Sequence, residues 1–185
     1  GKLMRNLTLC VVGVDHRHIF GQLGKMLELG CTCKGWWTEG NPEPVAGFLQ
    51  RFPEVPRVAD RDSLLQDPEI DMILIADVPA RRAARAIEAM QAGKDVMTDK
   101  PGCTTLEQLD SVKACAAENG RIWSIDFSER FEVPAVTRAA ELIAEGRIGK
   151  VVQTVGLGPH RLNRPTRPDW FFNEADYGGI LTDIA

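Results

Sequence analysis

The stretch IDMILIA, residues 70–76, decides the fold class of this chain. It is a short, nearly continuous apolar run, which is typical of a parallel strand that helices cover on both faces. Pro79 soon opens an alanine-rich helix that Gly93 ends, and residues 95–99 then read as the next strand. We therefore expect residues 70–76 to form a central strand of a parallel sheet.

Strand and helix patterns alternate on both sides of this stretch. The predicted elements before it are a strand at 7–12, an amphipathic helix ended by Gly30, a strand at 33–37, a helix at 43–52, a short strand near Val58 and a small helix at 63–66. After it, Thr104 or Thr105 caps a helix with Glu107 in its first turn, and residues 122–125 form one more strand. This alternation predicts an α/β fold with a doubly wound parallel sheet, the Rossmann arrangement.

The pattern changes after residue 126. We predict a helix at 134–145 and a longer strand at 150–157, which alternates more than the earlier strands. A second domain is therefore expected to begin at about residue 127. Another helix starts where the given sequence ends, so we expect most of that second domain to lie outside this chain.

Composition and charge exclude several classes of partner. The chain is 44% hydrophobic with a net charge of −4 and has no basic stripe, so nucleic acid is not an expected partner. No apolar run approaches a membrane span, and the first residues lack the apolar core of a signal peptide. The five cysteines have no framework spacing and are expected to be free thiols. We expect a cytoplasmic protein without a membrane partner.

The first strand ends in the turn GVDHRH, residues 13–18. A nucleotide fold places its cofactor turn here, with the pattern Gly-x-Gly-x-x-Gly, which makes Gly13, Val14, Asp15 and His16 candidate cofactor-binding residues. Asp15 replaces the second glycine of the pattern. A carboxylate near a pyrophosphate is unfavourable unless it points away or caps the helix.

The same turn admits a second interpretation, because His16-x-His18 is also how metal-dependent amidohydrolases begin. Those enzymes need further histidines at later strand ends, and the only other histidine here is His160. We therefore predict no metal ligand. A purely structural role, in which His18 packs against or caps the start of the helix, also remains open.

Glu39 closes the second strand at about the distance from the glycine turn where an acidic residue binds the ribose hydroxyls of NAD. It would repel a 2′-phosphate, which favours NAD over NADP. Arg51, Arg57 and Arg61 lie nearby in sequence and would weaken this preference if they folded over the site. A solvated turn glutamate is the alternative.

Asp99, which ends the strand at 95–99, and Lys100 and Pro101 after it lie where an open α/β sheet has its ligand crevice, so all three are candidate cofactor-binding residues. A lysine held there can orient a substrate hydroxyl or relay a proton. The alternative is a solvated lysine at a strand end.

Three spaced motifs resemble the Gfo/Idh/MocA oxidoreductase family. The first is AGKDV at 92–96 with DKP at 99–101, which is similar to "aGkhV…EKP" with aspartate in place of glutamate. The second is RF at 130–131 with Pro134 and GRIG at 146–149, which is similar to "Rf.p…G.iG". The third is GGILTD at 178–183, which is similar to "GG.l.D.g.H". The resemblance implies an NAD(P)-dependent dehydrogenase acting on a sugar, inositol or similar polyol. It also implies a Rossmann domain at 1–126 and, at 127–185, the start of an α+β domain with a mixed, mostly antiparallel sheet.

The resemblance also implies roles for individual residues. Lys100 would contact the substrate hydroxyl and the nicotinamide ribose, and Asp183 would bind substrate and support proton transfer. The family's usual proton-transfer histidine would fall just past Ala185. The family commonly has Thr-Pro-Asn after the central strand, whereas Asp77 and Pro79 take those positions here and become the candidate cofactor contacts. The full-length form is expected to be a homo-oligomer, and a non-catalytic NAD-binding scaffold subunit is the alternative to an enzyme.

Overall fold

The computed structural model describes residues 6–158 and 160–184 of the 185-residue chain. Its five strands are β1 (Thr8–Val14), β2 (Thr32–Trp37), β3 (Met72–Ala76), β4 (Asp95–Asp99) and β5 (Trp123–Asp126). All neighbouring strands run parallel in the order β2-β1-β3-β4-β5. β3 lies in the middle with every residue buried, which confirms the prediction from the apolar stretch.

Helices cover both faces of the sheet. Those packed on it are α1 (His18–Glu28), α2 (Val45–Arg51), α3 (Arg61–Leu65), α4 (Pro79–Gln91) and α5 (Leu106–Asn119). The other helices of the described residues are α6 (Ser128–Glu132), α7 (Pro134–Ala144), α8 (Glu174–Tyr177) and α9 (Ile180–Ile184). Successive residues of β3 point to opposite faces. Ile73 and Ile75 pack in the core formed with α4 and α5, whereas Leu74 packs in the core formed with α1 and α2. The fold is therefore the predicted doubly wound α/β sheet.

Local signals place the ends of the helices that flank β4. Pro79 occupies the first turn of α4, where its missing N–H costs nothing. The Thr105 hydroxyl accepts from the backbone N–H of Gln108 at 3.1 Å and caps α5, as predicted for Thr104 or Thr105. α5 ends at Gly120 in the left-handed conformation, with φ of 58°.

Two predicted strands are wrong. Near Val58 the chain makes only a single parallel bridge, between Trp36 and Arg57. Residues 150–157 form no strand, and the side chains of Val152 and Leu157 are 90% and 93% exposed. A strand needs a neighbour to pair its N–H and C=O groups, and within residues 6–158 and 160–184 none lies beside this segment.

The chain divides into two compact units, Gly1–Asp126 with Pro168–Ala185, and Phe127–Arg167. The first unit holds the sheet, α1 to α5, a 3₁₀ turn at Asp169–Phe172, α8 and α9. The second holds α6, α7 and a 3₁₀ turn at Arg164–Thr166. The mixed sheet and the assignment of 127–185 to a second domain stay predictions. No helix among the described residues has the length and apolar character needed to cross a bilayer.

Candidate functional site

The predicted site residues gather at the carboxyl edge of the sheet in the first unit. β1 and β3 are neighbours there, and the chain leaves them toward opposite faces. This is the switch point at which open α/β sheets bind ligands. The turn at 13–18 begins within the last residues of β1, Asp77 follows β3, and Asp99 ends β4 with Lys100 and Pro101 after it.

The glycine turn lies tightly against the end of β3. Gly13 has φ of 86°, and a Cβ there would come within 2.6 Å of the Cβ of Asp77. The backbone N–H groups of Asp15 and His16 both donate to the carbonyl of Ala76, at 2.9 and 3.1 Å. Val14 is buried at the end of β1 and donates its N–H to the Thr38 hydroxyl at 3.0 Å. Only glycine fits at position 13 without moving β3.

Asp15 turns inward rather than toward the start of α1. Its side chain is buried, and one carboxyl oxygen lies 3.4 Å from Arg81 Nη2. Burial and the neighbouring charge of Asp77 raise the pKa of Asp15 to about 7, although Arg81 opposes this. The carboxyl group that replaces the second glycine is therefore partly uncharged at neutral pH.

Glu39 makes contacts that sequence reasoning missed. Its carboxylate accepts from Arg81 Nη1 at 2.9 Å and lies 3.5 Å from Arg85 Nη2, while Asp77 binds the Nε atoms of both arginines. The arginines that reach Glu39 thus come from α4. The only available signal was the four-residue spacing that puts Arg81 and Arg85 on one helix face.

The three arginines noted near Glu39 in sequence bind elsewhere. Arg57 lies over the Trp36 ring and donates to the carbonyl of Gly40. Arg61 lies over the Trp37 ring and pairs with Glu88, and Arg51 lies over the Phe52 ring.

His16, His18 and Asp99 form a compact cluster at the next strand end. His18 Nδ1 lies 2.8 Å from one Asp99 oxygen and His16 Nδ1 lies 3.3 Å from the other. Burial lowers the pKa of His16 to about 3, against the opposing effect of Asp99. Burial disfavours the ionised Asp99, but the His18 hydrogen bond and Arg82 outweigh it and hold the Asp99 pKa below its usual range. The possible ligand atoms of the three residues lie within 4.8 Å of one another, so the cluster could hold a metal ion.

Arg82 is a second feature that sequence reasoning missed. Its side chain is 1% exposed, and it donates to the backbone carbonyls of Asp77, Asp99, Lys100 and Pro101 at 2.7 to 3.0 Å. It also pairs with the Asp99 carboxylate at 3.2 Å. One buried guanidinium therefore joins the ends of β3 and β4. It also partly neutralises the negative charge of Asp99, the charge that would attract a metal ion to this cluster.

Lys100 and Asp183 meet at this edge, although 83 positions separate them in sequence. Lys100 Nζ donates to Asp183 Oδ1 at 2.7 Å, and the Tyr177 hydroxyl donates to Asp183 Oδ2 at 2.7 Å. Gly178 allows this approach, because a Cβ there would come within 2.8 Å of the Thr104 side chain. The structure thus brings together the two residues to which the resemblance assigns chemistry, and their roles stay predictions.

Comparison with known proteins identifies the family. The family described as "Oxidoreductase family, NAD-binding Rossmann fold" (GFO_IDH_MocA) has a sequence model that matches residues 41–127. Residues 41–127 belong to the Gfo/Idh/MocA oxidoreductase family. An oxidoreductase structure from Erwinia carotovora atroseptica SCRI1043 is 41% identical, with a TM-score of 0.90 over 97% of this chain and 53% of that chain.

Two Gfo/Idh/MocA relatives have more specific names. A levoglucosan dehydrogenase solved in complex with NADH is 26% identical, with a TM-score of 0.76 over 98% of this chain and 51% of that one. The scyllo-inositol 2-dehydrogenase (NAD(+)) of Bacillus subtilis (strain 168) is 30% identical over 83% of this chain and 42% of its own length. The chain spans less than half of that curated relative and about half of the two solved structures.

The edge of the sheet fits the dinucleotide that a Gfo/Idh/MocA domain binds. Gly13 keeps the turn that precedes α1 close to the end of β3. Glu39 stands exposed at the end of β2. Asp15, the departure from the glycine pattern, is buried beside Arg81 and does not point at the helix start.

Proposed function

We propose that this chain provides the cofactor-binding domain and part of the substrate site of a dehydrogenase. The reaction is hydride transfer between NAD and a carbinol carbon of a sugar, inositol or similar polyol. The observation that carries the proposal is the hydrogen-bonded group of Lys100, Asp183 and Tyr177 beside β4, at the edge where the dinucleotide turn lies. The names of the relatives, which include levoglucosan and scyllo-inositol dehydrogenases, support the substrate class.

The cofactor contacts are proposed from the positions of these residues along the edge of the sheet. Residues 13–16 would lie against the pyrophosphate, Glu39 against the adenosine ribose, and Asp77 and Pro79 beside the cofactor at the end of β3. Asp99, Lys100 and Pro101 would lie beside the cofactor at the end of β4, where Lys100 would meet the nicotinamide ribose. NAD, when bound, supplies the carbon that accepts the hydride.

The chain's own residues would handle the proton. Oxidation of a carbinol removes a hydride from carbon and a proton from oxygen, so a protein group must hold that oxygen. The Lys100 ammonium can donate to it, because Nζ already donates to an acceptor at this point in the form of Asp183. The Asp183 carboxylate can orient Lys100 and accept a proton at Oδ1, while Tyr177 fixes its other oxygen.

Substitution of Lys100 tests the proposed role. In the full-length enzyme that contains this chain, Lys100→Ala should lower kcat by about 10² to 10⁴, the usual contribution of a positioned acid or base. NADH affinity, measured by calorimetry, should stay nearly unchanged. Lys113→Ala, at an exposed position on α5, is the matched control and should leave both values unaltered. Normal turnover by the Lys100 variant would refute the role.

The cluster of His16, His18 and Asp99 supports a second candidate, a metal-dependent hydrolase. Elemental analysis of the purified protein separates the two functions. Stoichiometric zinc that disappears in His18→Ala would favour the hydrolase, whereas NADH binding by metal-free protein would favour the dehydrogenase.

We propose a cytoplasmic location, which the five free cysteines support because reduced thiols are typical of that compartment. The second domain beginning at about residue 127 and a homo-oligomeric full-length form are proposed from the family resemblance. The net charge of −4 supports the proposal that nucleic acid is not a partner.

A further inference from the structure

Two arginines of α4 are held side by side near the end of β2. Asp77, whose side chain is 1% exposed, binds Arg81 Nε at 2.8 Å with one carboxylate oxygen and Arg85 Nε at 2.9 Å with the other. The Arg85 guanidinium also lies over the Trp37 ring, 5.2 Å from its centroid. Because each arginine uses its Nε on Asp77, the terminal nitrogens of both are available for another anion.

Glu39 is the anion that these terminal nitrogens bind. One oxygen, Oε2, lies 2.9 Å from Arg81 Nη1 and 3.5 Å from Arg85 Nη2. The Glu39 side chain is 58% exposed, in contrast to the buried Asp77. An exposed ion pair contributes little free energy, so Glu39 can rotate away at small cost while Asp77 keeps both guanidinium groups in place.

The charges around this point leave room for a phosphate. Asp77 and Glu39 together carry two negative charges against the two arginines, so departure of Glu39 leaves one positive charge that Asp15, beside Arg81, partly offsets. The other acidic side chains near the two arginines, Asp15 and Glu88, lie farther from them than Asp77 does. Asp15 lies 3.4 Å from Arg81 Nη2, and Glu88 lies 3.9 Å from Arg85 Nη1 but only 3.1 Å from Arg61.

We propose that Arg81 and Arg85 form a preorganised site for the 2′-phosphate of NADP(H), which Glu39 occupies in the absence of that phosphate. This inference rests on the proposed dinucleotide binding. Glu39 accepts hydrogen bonds from the ribose hydroxyls of NAD in one position and moves aside for the 2′-phosphate in the other. The domain therefore binds both cofactors, in contrast to the expectation from Glu39 alone that a 2′-phosphate is repelled.

The chemistry of the two cofactors matches the two kinds of side chain. An acidic residue at the end of the second strand binds ribose hydroxyls, and an arginine beside it accommodates a 2′-phosphate. Guanidinium groups bind phosphate oxygens through paired, charge-assisted hydrogen bonds. Most of the entropy cost of ordering these side chains is met before the cofactor arrives, because Asp77 and Trp37 already hold them.

Calorimetric titration of NADH and NADPH into the same protein tests the site. We expect the two dissociation constants to agree within about tenfold, since charge-assisted hydrogen bonds from two arginines offset the displacement of Glu39. NADPH binding more than about a hundredfold weaker than NADH binding overturns the inference and leaves the proposed function standing. Failure of both cofactors to bind the folded protein instead overturns the proposed function.

Single substitutions then locate the phosphate contact. Arg81→Ala and Arg85→Ala should each weaken NADPH binding by about tenfold or more, the value of one charge-assisted hydrogen bond, with a much smaller effect on NADH. Arg57→Ala is the matched control, because Arg57 lies over Trp36 near the same strand end without contacting Glu39. Equal weakening of both cofactors by the α4 variants would mean a structural role and contradict the inference.

Glu39→Gln provides a test that does not depend on altering the buried network. Its loss of charge should tighten NADPH binding and weaken NADH binding, so the ratio of the two dissociation constants shifts toward NADPH. Adenosine 2′,5′-bisphosphate and adenosine 5′-monophosphate, titrated in parallel, confine the comparison to this end of the site. An unchanged ratio in Glu39→Gln would overturn the proposed exchange.

Discussion

Replacement of Arg82 by methionine should destabilise the first unit more than any exposed arginine substitution. Methionine keeps much of the apolar stem but removes the group that donates to four backbone carbonyls and pairs with Asp99. Water cannot replace the lost donor, because the side chains of Arg82 and Asp99 are only 1% and 3% exposed. Breaking a buried pair of this kind costs about 3 to 5 kcal/mol.

Urea denaturation followed by circular dichroism measures this loss. With a slope of about 2 kcal/mol per molar urea, the midpoint of Arg82→Met should fall by about 1.5 to 2.5 M. Arg17→Met is the matched control, because Arg17 forms an exposed ion pair with Glu43 that contributes at most about 1 kcal/mol. A midpoint shift for Arg82→Met no larger than that of Arg17→Met would refute the view that the guanidinium holds the two strand ends together.

Two further predictions concern the glycine turn. Gly13→Ala should lower thermal stability and abolish NADH binding, because the new Cβ would lie 2.6 Å from Asp77. Gly40→Ala is the control: Gly40 has φ of 63° and open space around it, so alanine there should cost only about 1 to 2 kcal/mol of backbone strain. Asp15→Asn should change the pH dependence of unfolding. The Asp15 pKa is raised to about 7, so the native state holds a proton that the unfolded chain releases near pH 4, and wild-type stability falls as pH rises through this window. The variant lacks that fall, and parallel stability curves for the two proteins from pH 4 to 7 would contradict the prediction.

The fold was predictable because its signals are local. The apolar run at 70–76 can only satisfy both of its faces inside a covered parallel sheet, and Pro79 and Thr105 mark helix starts by their own chemistry. The strand expected at 150–157 failed because pairing depends on a neighbour that the pattern of one segment does not reveal. The same reason explains why the strand predicted near Val58 is only a single bridge between Trp36 and Arg57.

The site was predictable only in part. Lys100 and Asp183 carry motif resemblance, so their meeting could be expected from the family. The arginines of α4 could not be assigned, because an arginine-rich helix face reads as solvated until β3 and β4 bring Asp77 and Asp99 to its first turns. Ion pairs between residues far apart in sequence depend on topology, which residue spacing alone does not encode.

The central claim is that the carboxyl edge of this sheet binds NAD. Titration of NADH into the folded protein, followed by calorimetry or by the fluorescence of the nicotinamide, measures it directly. We predict saturable binding with one site per chain, which Gly13→Ala abolishes and Gly40→Ala retains. Absence of NADH binding to a protein whose circular dichroism shows an intact fold would contradict it.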